Sequence, residues 1–118
     1  MTRWMTKALA LLGLALACQA HALTAEQALG MAVGESDARI EALAKAVAQG
    51  DDKTAAYLQA LADDAVKVAA GQVLVVRDGQ GLDPVSGEAR TVPADAEDVM
   101  LNNPLRGEID TALAARKL

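Results

Sequence analysis

The chain has very few of the residue types that carry catalytic or cross-linking chemistry. Its 118 residues contain one cysteine, one histidine, one tryptophan, one tyrosine and no phenylalanine. A single cysteine excludes an intramolecular disulfide, and a single histidine excludes a zinc site built from several imidazoles. With so few aromatic rings, the core must be built from aliphatic side chains, and we expect a domain of modest stability.

The chain also lacks an apolar run long enough to cross a bilayer. The longest run, Ala8–Cys18, is far shorter than the roughly 20 residues that a transmembrane helix needs. It follows two cations, Arg3 and Lys7, as the apolar segment of a secretory signal peptide does. This chain therefore cannot form a permease by itself, and its N-terminal segment predicts export.

The predicted cleavage site is the small-x-small sequence that contains Ala20 and Ala22, which places the mature N-terminus at Leu23. Removal of residues 1–22 takes away the only cysteine and histidine, together with two cations, so the net charge of −5 becomes more negative. Such a chain is a poor ligand for nucleic acid or anionic lipid. Lipidation at Cys18 and an uncleaved signal anchor remain as alternatives.

The fold class that we predict is α+β, mainly α. Residues 23–65 form a helical, HEAT-like segment with an antiparallel helix pair, residues 66–101 form a β-hairpin and turns, and residues 102–118 form a C-terminal helix. The change from helical to β-branched periodicity near residue 66 sets the first of these boundaries. We expect the last helix to lead into further repeats.

Three helices are predicted in the first segment. Thr24 and Gln27 form a capping box that opens a helix over residues 25–33. The second helix is capped by Ser36 or Asp37 and ends at Gly50, a favourable left-handed position. The spacing of its apolar residues predicts a buried face made of Ile40, Leu43, Ala44 and Val47.

The third helix, about residues 53–63, follows the capping pair Asp51-Asp52. Its predicted apolar stripe consists of Thr54, Leu58, Leu61 and Ala65, with Tyr57 alongside. We expect it to pack against the second helix across the intervening turn, as in one HEAT-like repeat.

The second segment contains a valine-rich hairpin. Its strands, Val66–Val68 and Val73–Val76, are bounded by Ala70-Gly71 and Asp78-Gly79. A turn is predicted at Asp83–Glu88, where Pro and Gly set the backbone, and a third short strand is predicted at Thr91-Val92.

The start of the last helix contains the candidate interaction residues Asn102, Asn103 and Arg106. The spacing predicts Asn103 as N-cap and Pro104 as the first helical residue, with a helix through Arg116. Two amides and a cation at a helix start can bind an anion or a partner's backbone, or can simply cap the helix and remain solvated. Both interpretations remain open here.

No catalytic, cofactor or metal site is predicted. Without histidine or cysteine in the mature chain, carboxylates are the remaining acid and base groups, and they occur as the pairs Asp51-Asp52, Asp63-Asp64 and Glu97-Asp98. Two of these pairs lie where helix ends favour acids, and adjacent side chains diverge, so a carboxylate hydrolase is the least favoured class.

Taken together, the order of these parts resembles the periplasmic N-terminal region of the urea-type permease subunit of branched-chain amino acid/urea ABC transporters. The helix pair within Ile40–Asp63, the hairpin, the turn Asp83–Glu88 (D-P-x-[ST]-G-E in the family) and Val99–Arg106 (hydrophobic-N-N-x-L-R) carry the resemblance. Pro104 stands where the family has a basic residue.

The resemblance implies a non-catalytic periplasmic module that takes part in urea uptake without translocating substrate alone. In that family the region continues into further HEAT-like helices and a membrane permease, so this chain would be a fragment or truncation. Its implied partners are the rest of the permease and other transporter subunits, at the inner membrane. A stand-alone periplasmic adaptor of helical-repeat type is the alternative.

Overall fold

The computed structural model describes residues 23–116, which contain four helices and one antiparallel sheet of five strands. The predicted class, α+β and mainly α, is confirmed. The helices are α1 (Ala25–Ala32), α2 (Ser36–Gln49), α3 (Asp52–Ala62) and α4 (Asn103–Arg116). The predicted signal peptide, with Cys18 and the cleavage-site residues Ala20 and Ala22, lies outside the described residues.

Capping interactions set the ends of the first three helices. In α1 the Thr24 hydroxyl accepts a hydrogen bond from the Gln27 amide and the Gln27 side chain accepts one from the Thr24 amide, so the predicted capping box is confirmed. The predicted Ser36 or Asp37 cap of α2 is wrong: Glu35 is the N-cap and makes no side-chain capping bond. Gly50 ends α2 in the left-handed conformation, as predicted.

The buried face of α2 differs from the predicted one. Its buried residues are Arg39, Leu43 and Ala46, whereas Ala44 and Val47 are exposed. The helix is therefore rotated by about one position relative to the apolar stripe read from the sequence. The rotation follows from the burial of Arg39, a charged residue that an interpretation based on hydrophobic spacing places on the solvent-exposed face.

For α3, three of the four residues of the predicted stripe are correct, whereas Ala65 lies beyond the end of the helix and is only partly buried. Thr54, Leu58 and Leu61 are buried, and so is Tyr57 beside them. Helix α2 contacts α3, as a helix pair requires, but packs more extensively against α1 and α4. The pair predicted as HEAT-like is thus part of a larger helical cluster.

The sheet has the strand order β4-β3-β2-β1-β5, and every neighbouring pair is antiparallel. Its strands are β1 (Val66–Ala69), β2 (Gln72–Arg77), β3 (Gln80–Leu82), β4 (Ala89–Arg90) and β5 (Glu97–Asp98). The predicted valine hairpin is β1–β2, with Val66 opposite Val75 and Val68 opposite Val73. Opposite residues share a face, so these four valines face the core together.

Three short strands, β3, β4 and β5, were not predicted, and the strand predicted at Thr91-Val92 is wrong. Thr91-Val92 lies outside the sheet. After the turn at residues 83–88 the chain pairs with β3 through Ala89 and Arg90, which form β4 two residues before the predicted strand. Strand β3 follows a tight turn in which Asp78 and Gly79 both have positive φ, as the hairpin between β2 and β3 requires. Strand β5 pairs with β1 on the other edge.

A single hydrophobic core unites the helices and the first two strands. Buried side chains from α1, α2, α3, α4, β1 and β2 belong to one cluster. Its members are Leu23, Ala28, Met31, Ala32, Leu43, Ala46, Tyr57, Leu58, Ala60, Leu61, Val66, Val73, Leu105 and Ile109. The residues predicted as separate helical, hairpin and C-terminal segments therefore contribute to the same core.

Candidate functional site

A cleft of about 280 Å³ lies between α3 and the segment that connects β3 to β4. It is largely apolar, and Leu82 on its rim is 45% exposed. Its lining residues are Lys53, Ala56, Tyr57, Val75, Arg77, Leu82, Asp83, Pro84 and Gly87. The predicted turn at residues 83–88 thus forms one wall of the cleft, and α3 forms the other.

Tyr57 lies at the base of this cleft and is 1% exposed. Its hydroxyl donates a 2.7 Å hydrogen bond to the carbonyl oxygen of Ala28 in α1. Burial raises the pKa of the phenol above its ordinary value, and the nearby charge of Arg39 opposes that effect only in part. Tyr57 is therefore neutral near physiological pH and joins α3 to α1.

Asp83 organises the turn that forms the other wall. Its Oδ1 accepts hydrogen bonds from the amides of Val85 (2.8 Å) and Ser86 (3.2 Å), and its Oδ2 accepts one from Arg90 Nη2 (3.3 Å). Partial desolvation raises the pKa of Asp83, but these donors outweigh it and the pKa lies below its usual value. Gly87, with φ of +77°, completes the turn.

The two cations that line the cleft are both engaged within the protein. Lys53 Nζ donates a 2.7 Å hydrogen bond to the carbonyl oxygen of Val85, which ties the start of α3 to the turn. Arg77 forms a 3.2 Å ion pair with Asp63. The cleft therefore offers an apolar surface with a fixed polar rim, which suits an apolar side chain better than a reacting group.

The predicted interaction residues at the start of α4 have structural contacts. Asn102, rather than Asn103, is the N-cap: its Oδ1 accepts from the amide of Leu105 at 2.9 Å, and its Nδ2 donates to Ser36 Oγ at 2.9 Å. Asn103 is the first helical residue and is exposed, so Pro104 occupies the second helical position. The amide that proline lacks is one of the four unpaired at any helix start, so the shift costs nothing.

Arg106 connects α4 to the end of α3. Its Nη1 donates to the carbonyl oxygen of Ala62 at 3.3 Å, and its Nη2 pairs with Asp64 Oδ1 at 3.0 Å. The Ala62 carbonyl belongs to the last turn of α3, where oxygens lack a partner within the helix. Arg106 therefore caps a neighbouring helix, and Asn102 and Arg106 together place α4 against α2 and α3.

Arg39 is the buried polar residue that the sequence pattern did not reveal. It is 7% exposed, and its Nε and Nη1 donate to the carbonyl oxygens of Met31 and Met100, both at 2.9 Å. Its Nη2 is buried without a hydrogen-bond partner among the described residues. Desolvation lowers the pKa of Arg39. The sequence feature that could have indicated its burial is its position four residues before Leu43, because that spacing puts both side chains on one helix face.

The acidic pairs serve the ends of helices and strands. Asp51 caps α3, Asp52 pairs with Arg116 at 2.8 Å, and Asp98 pairs with Lys67 at 2.7 Å. Within residues 23–116, no three carboxylate, histidine or cysteine side chains are grouped closely enough to hold a metal ion. The same residues include no helix that is both long and apolar enough to span a bilayer.

Comparison with known proteins gives no further guide to the site. No protein-family model, curated protein or solved structure matches the chain.

Proposed function

We propose that the chain is the exported, non-catalytic N-terminal module of a urea-type ABC permease, acting in the periplasm through contacts with the permease and its other subunits. The observation that carries the proposal is the ordered pair of motifs, Asp83–Glu88 and Val99–Arg106, that resembles the family. Substrate translocation would belong to membrane helices encoded beyond Leu118.

The contacts made by these two motifs support a module whose motif residues maintain the fold. Asp83 holds the turn that walls the cleft, while Asn102 and Arg106 fix α4 against the preceding helices. Their roles in the fold fit an interaction module that carries no transport chemistry of its own.

The proposal is tested by the genomic sequence that follows the codon for Leu118 and by urea uptake. A continuous reading frame with about eight hydrophobic segments supports it, and so does loss of urea uptake when the codons for residues 23–118 are deleted in frame. A true stop codon in a locus without transport genes, together with unchanged urea uptake after the deletion, contradicts it.

The single core favours a second candidate, a stand-alone periplasmic adaptor. Because one hydrophobic cluster extends from Leu23 to Ile109, the described residues enclose their own core. This candidate predicts that the exported chain purifies as a monomer or dimer with cooperative urea unfolding. An aggregating or non-cooperative product would count against it and in favour of the permease module.

A further inference from the structure

The residue that would become the mature N-terminus is anchored in the fold. Leu23 is 1% exposed and its side chain belongs to the main hydrophobic core. The next residue, Thr24, is the N-cap of α1. The predicted cleavage site is thus followed directly by a core side chain and a helix cap.

The backbone nitrogen of Leu23 has a carboxylate as its hydrogen-bond acceptor. It donates to Oδ2 of Asp51 at 2.8 Å, across 28 residues of sequence. The other oxygen of Asp51 accepts from the amide of Lys53 at 3.3 Å and caps α3. The hydrogen bond from Leu23 is the largest of the effects that place the pKa of Asp51 below its usual value, so this carboxylate is charged at neutral pH.

Signal-peptide cleavage would change the charge of that nitrogen. Hydrolysis adds water across the Ala22–Leu23 amide bond: the carbonyl carbon gains the oxygen and leaves as the Ala22 carboxylate, and the Leu23 nitrogen takes up protons to become an α-ammonium group. In the uncleaved chain a neutral N–H faces Asp51, whereas in the processed chain a full positive charge would face it at the same distance. Hydrogen bonds between two charged groups are stronger than those from a neutral amide.

We propose that removal of the signal peptide after Ala22 creates an ion pair between the α-ammonium group of Leu23 and Asp51, which fastens the new N-terminus and α1 to the start of α3. The pairing is specific to this cleavage position. Cleavage after Ala20 would leave Leu23 as a neutral amide and put the charge two residues away. The proposal rests on the predicted export signal and is independent of a role in urea transport.

The pH dependence of the ion pair follows from both of its groups. Pairing raises the pKa of the α-amino group above the ordinary value of about 7.7–8.0. Its stabilising effect is complete below that ordinary value and is lost as the pH rises through the raised value. Asp51, whose pKa is lowered, contributes above its ordinary value of about 3.9, and that contribution is lost as the pH falls through the lowered value. Lys53 is the other charged group that acts on Asp51.

The experiment uses the full 118-residue chain, exported by a bacterial host and purified in its processed form. Mass spectrometry identifies the first residue, and the rate of acylation of the α-amino group is followed against pH. The variant is Asp51→Asn, because asparagine caps a helix as well as aspartate does and the fold should persist. The matched control is Asp95→Asn, which removes the same charge from an exposed turn.

We expect Leu23 as the first residue, and an α-amino group that at pH 8 reacts about threefold more slowly in the wild type and in Asp95→Asn than in Asp51→Asn. A different first residue overturns the proposal, as do equal acylation rates in the wild type and Asp51→Asn. Loss of the proposed transport function would leave both measurements unchanged, so the two proposals fail separately.

Discussion

Replacement of Arg39 by methionine tests whether a buried cation that donates to backbone carbonyls stabilises this fold. Methionine retains most of the apolar length of the arginine side chain but has no donor. The substitution leaves the carbonyl oxygens of Met31, at the end of α1, and Met100, before α4, without the bonds that Arg39 Nε and Nη1 donate at 2.9 Å.

The expected decrease in the free energy of unfolding is about 2–4 kcal/mol. Each hydrogen bond from a charged donor contributes about 1.5–3 kcal/mol. Removal of the cation also removes the desolvation penalty of its charge and of its unpartnered Nη2, and this gain offsets part of the loss. A domain of this size has a free energy of unfolding of about 5–14 kcal/mol. The variant Arg39→Met should therefore lose a substantial part of its stability and about 10 °C or more in Tm.

The assay is urea unfolding of the exported chain, followed by far-UV circular dichroism and by the fluorescence of Tyr57, the only aromatic residue after position 22. Arg39→Lys should be at least as unstable as Arg39→Met, because one ammonium group cannot span both carbonyls in the geometry of a guanidinium. The control is Arg77→Met, which removes an exposed ion pair with Asp63 and should cost less than about 1 kcal/mol. A loss below about 0.5 kcal/mol in Arg39→Met would refute the reasoning, since burial of the charge would then outweigh both hydrogen bonds.

Three further predictions concern single residues. The phenol of Tyr57 has a raised pKa, so its stabilising effect is complete below about pH 10 and is lost as the pH rises above that value. Absorbance at 295 nm should show phenolate only together with unfolding, and titration of the folded protein near pH 10 would contradict this prediction. Asp83 has a lowered pKa, so the urea midpoint should fall between pH 5 and pH 3 by more in the wild type than in Asp83→Asn; equal falls would exclude its contribution. Gly81→Ala should lower the free energy of unfolding by about 1–3 kcal/mol, because a Cβ there would lie 2.7 Å from the carbonyl oxygen of Arg90, whereas Gly107→Ala, in open space on α4, should raise it by about 0.5–1 kcal/mol. Thermal unfolding compares the two variants, and the opposite ranking would contradict the close approach of β3 to β4.

The interactions that could be predicted from the sequence join residues close together in the chain. Thr24 and Gln27 are three residues apart, Asp51 caps the helix that follows it, and the hairpin β1–β2 is closed by Ala70 and Gly71, both with positive φ. The stripe on α3 was also readable, because its buried residues are mostly apolar or aromatic. In each case the physical constraint, which is an unpaired amide, a turn dihedral or the repeat of the helix, acts within a few residues.

The interactions that the sequence left undecided depend on partners far along the chain. Whether Asn102 or Asn103 caps α4 depends on Ser36, 66 residues away, and the buried face of α2 depends on Met100, 61 residues from Arg39. A hydrophobic pattern treats arginine as solvated and contains no information on which distant carbonyl needs a donor.

The sequence by itself thus determined the helices, the hairpin and the acidic, aliphatic character of the chain, because local caps, turns and periodicity control them. Only the tertiary structure decided that Arg39 is buried, that Arg106 caps a neighbouring helix, and that the nitrogen of Leu23 meets Asp51. Each of these contacts satisfies a polar group that chain folding brings close, and such proximity is a property of the assembled core rather than of any local pattern.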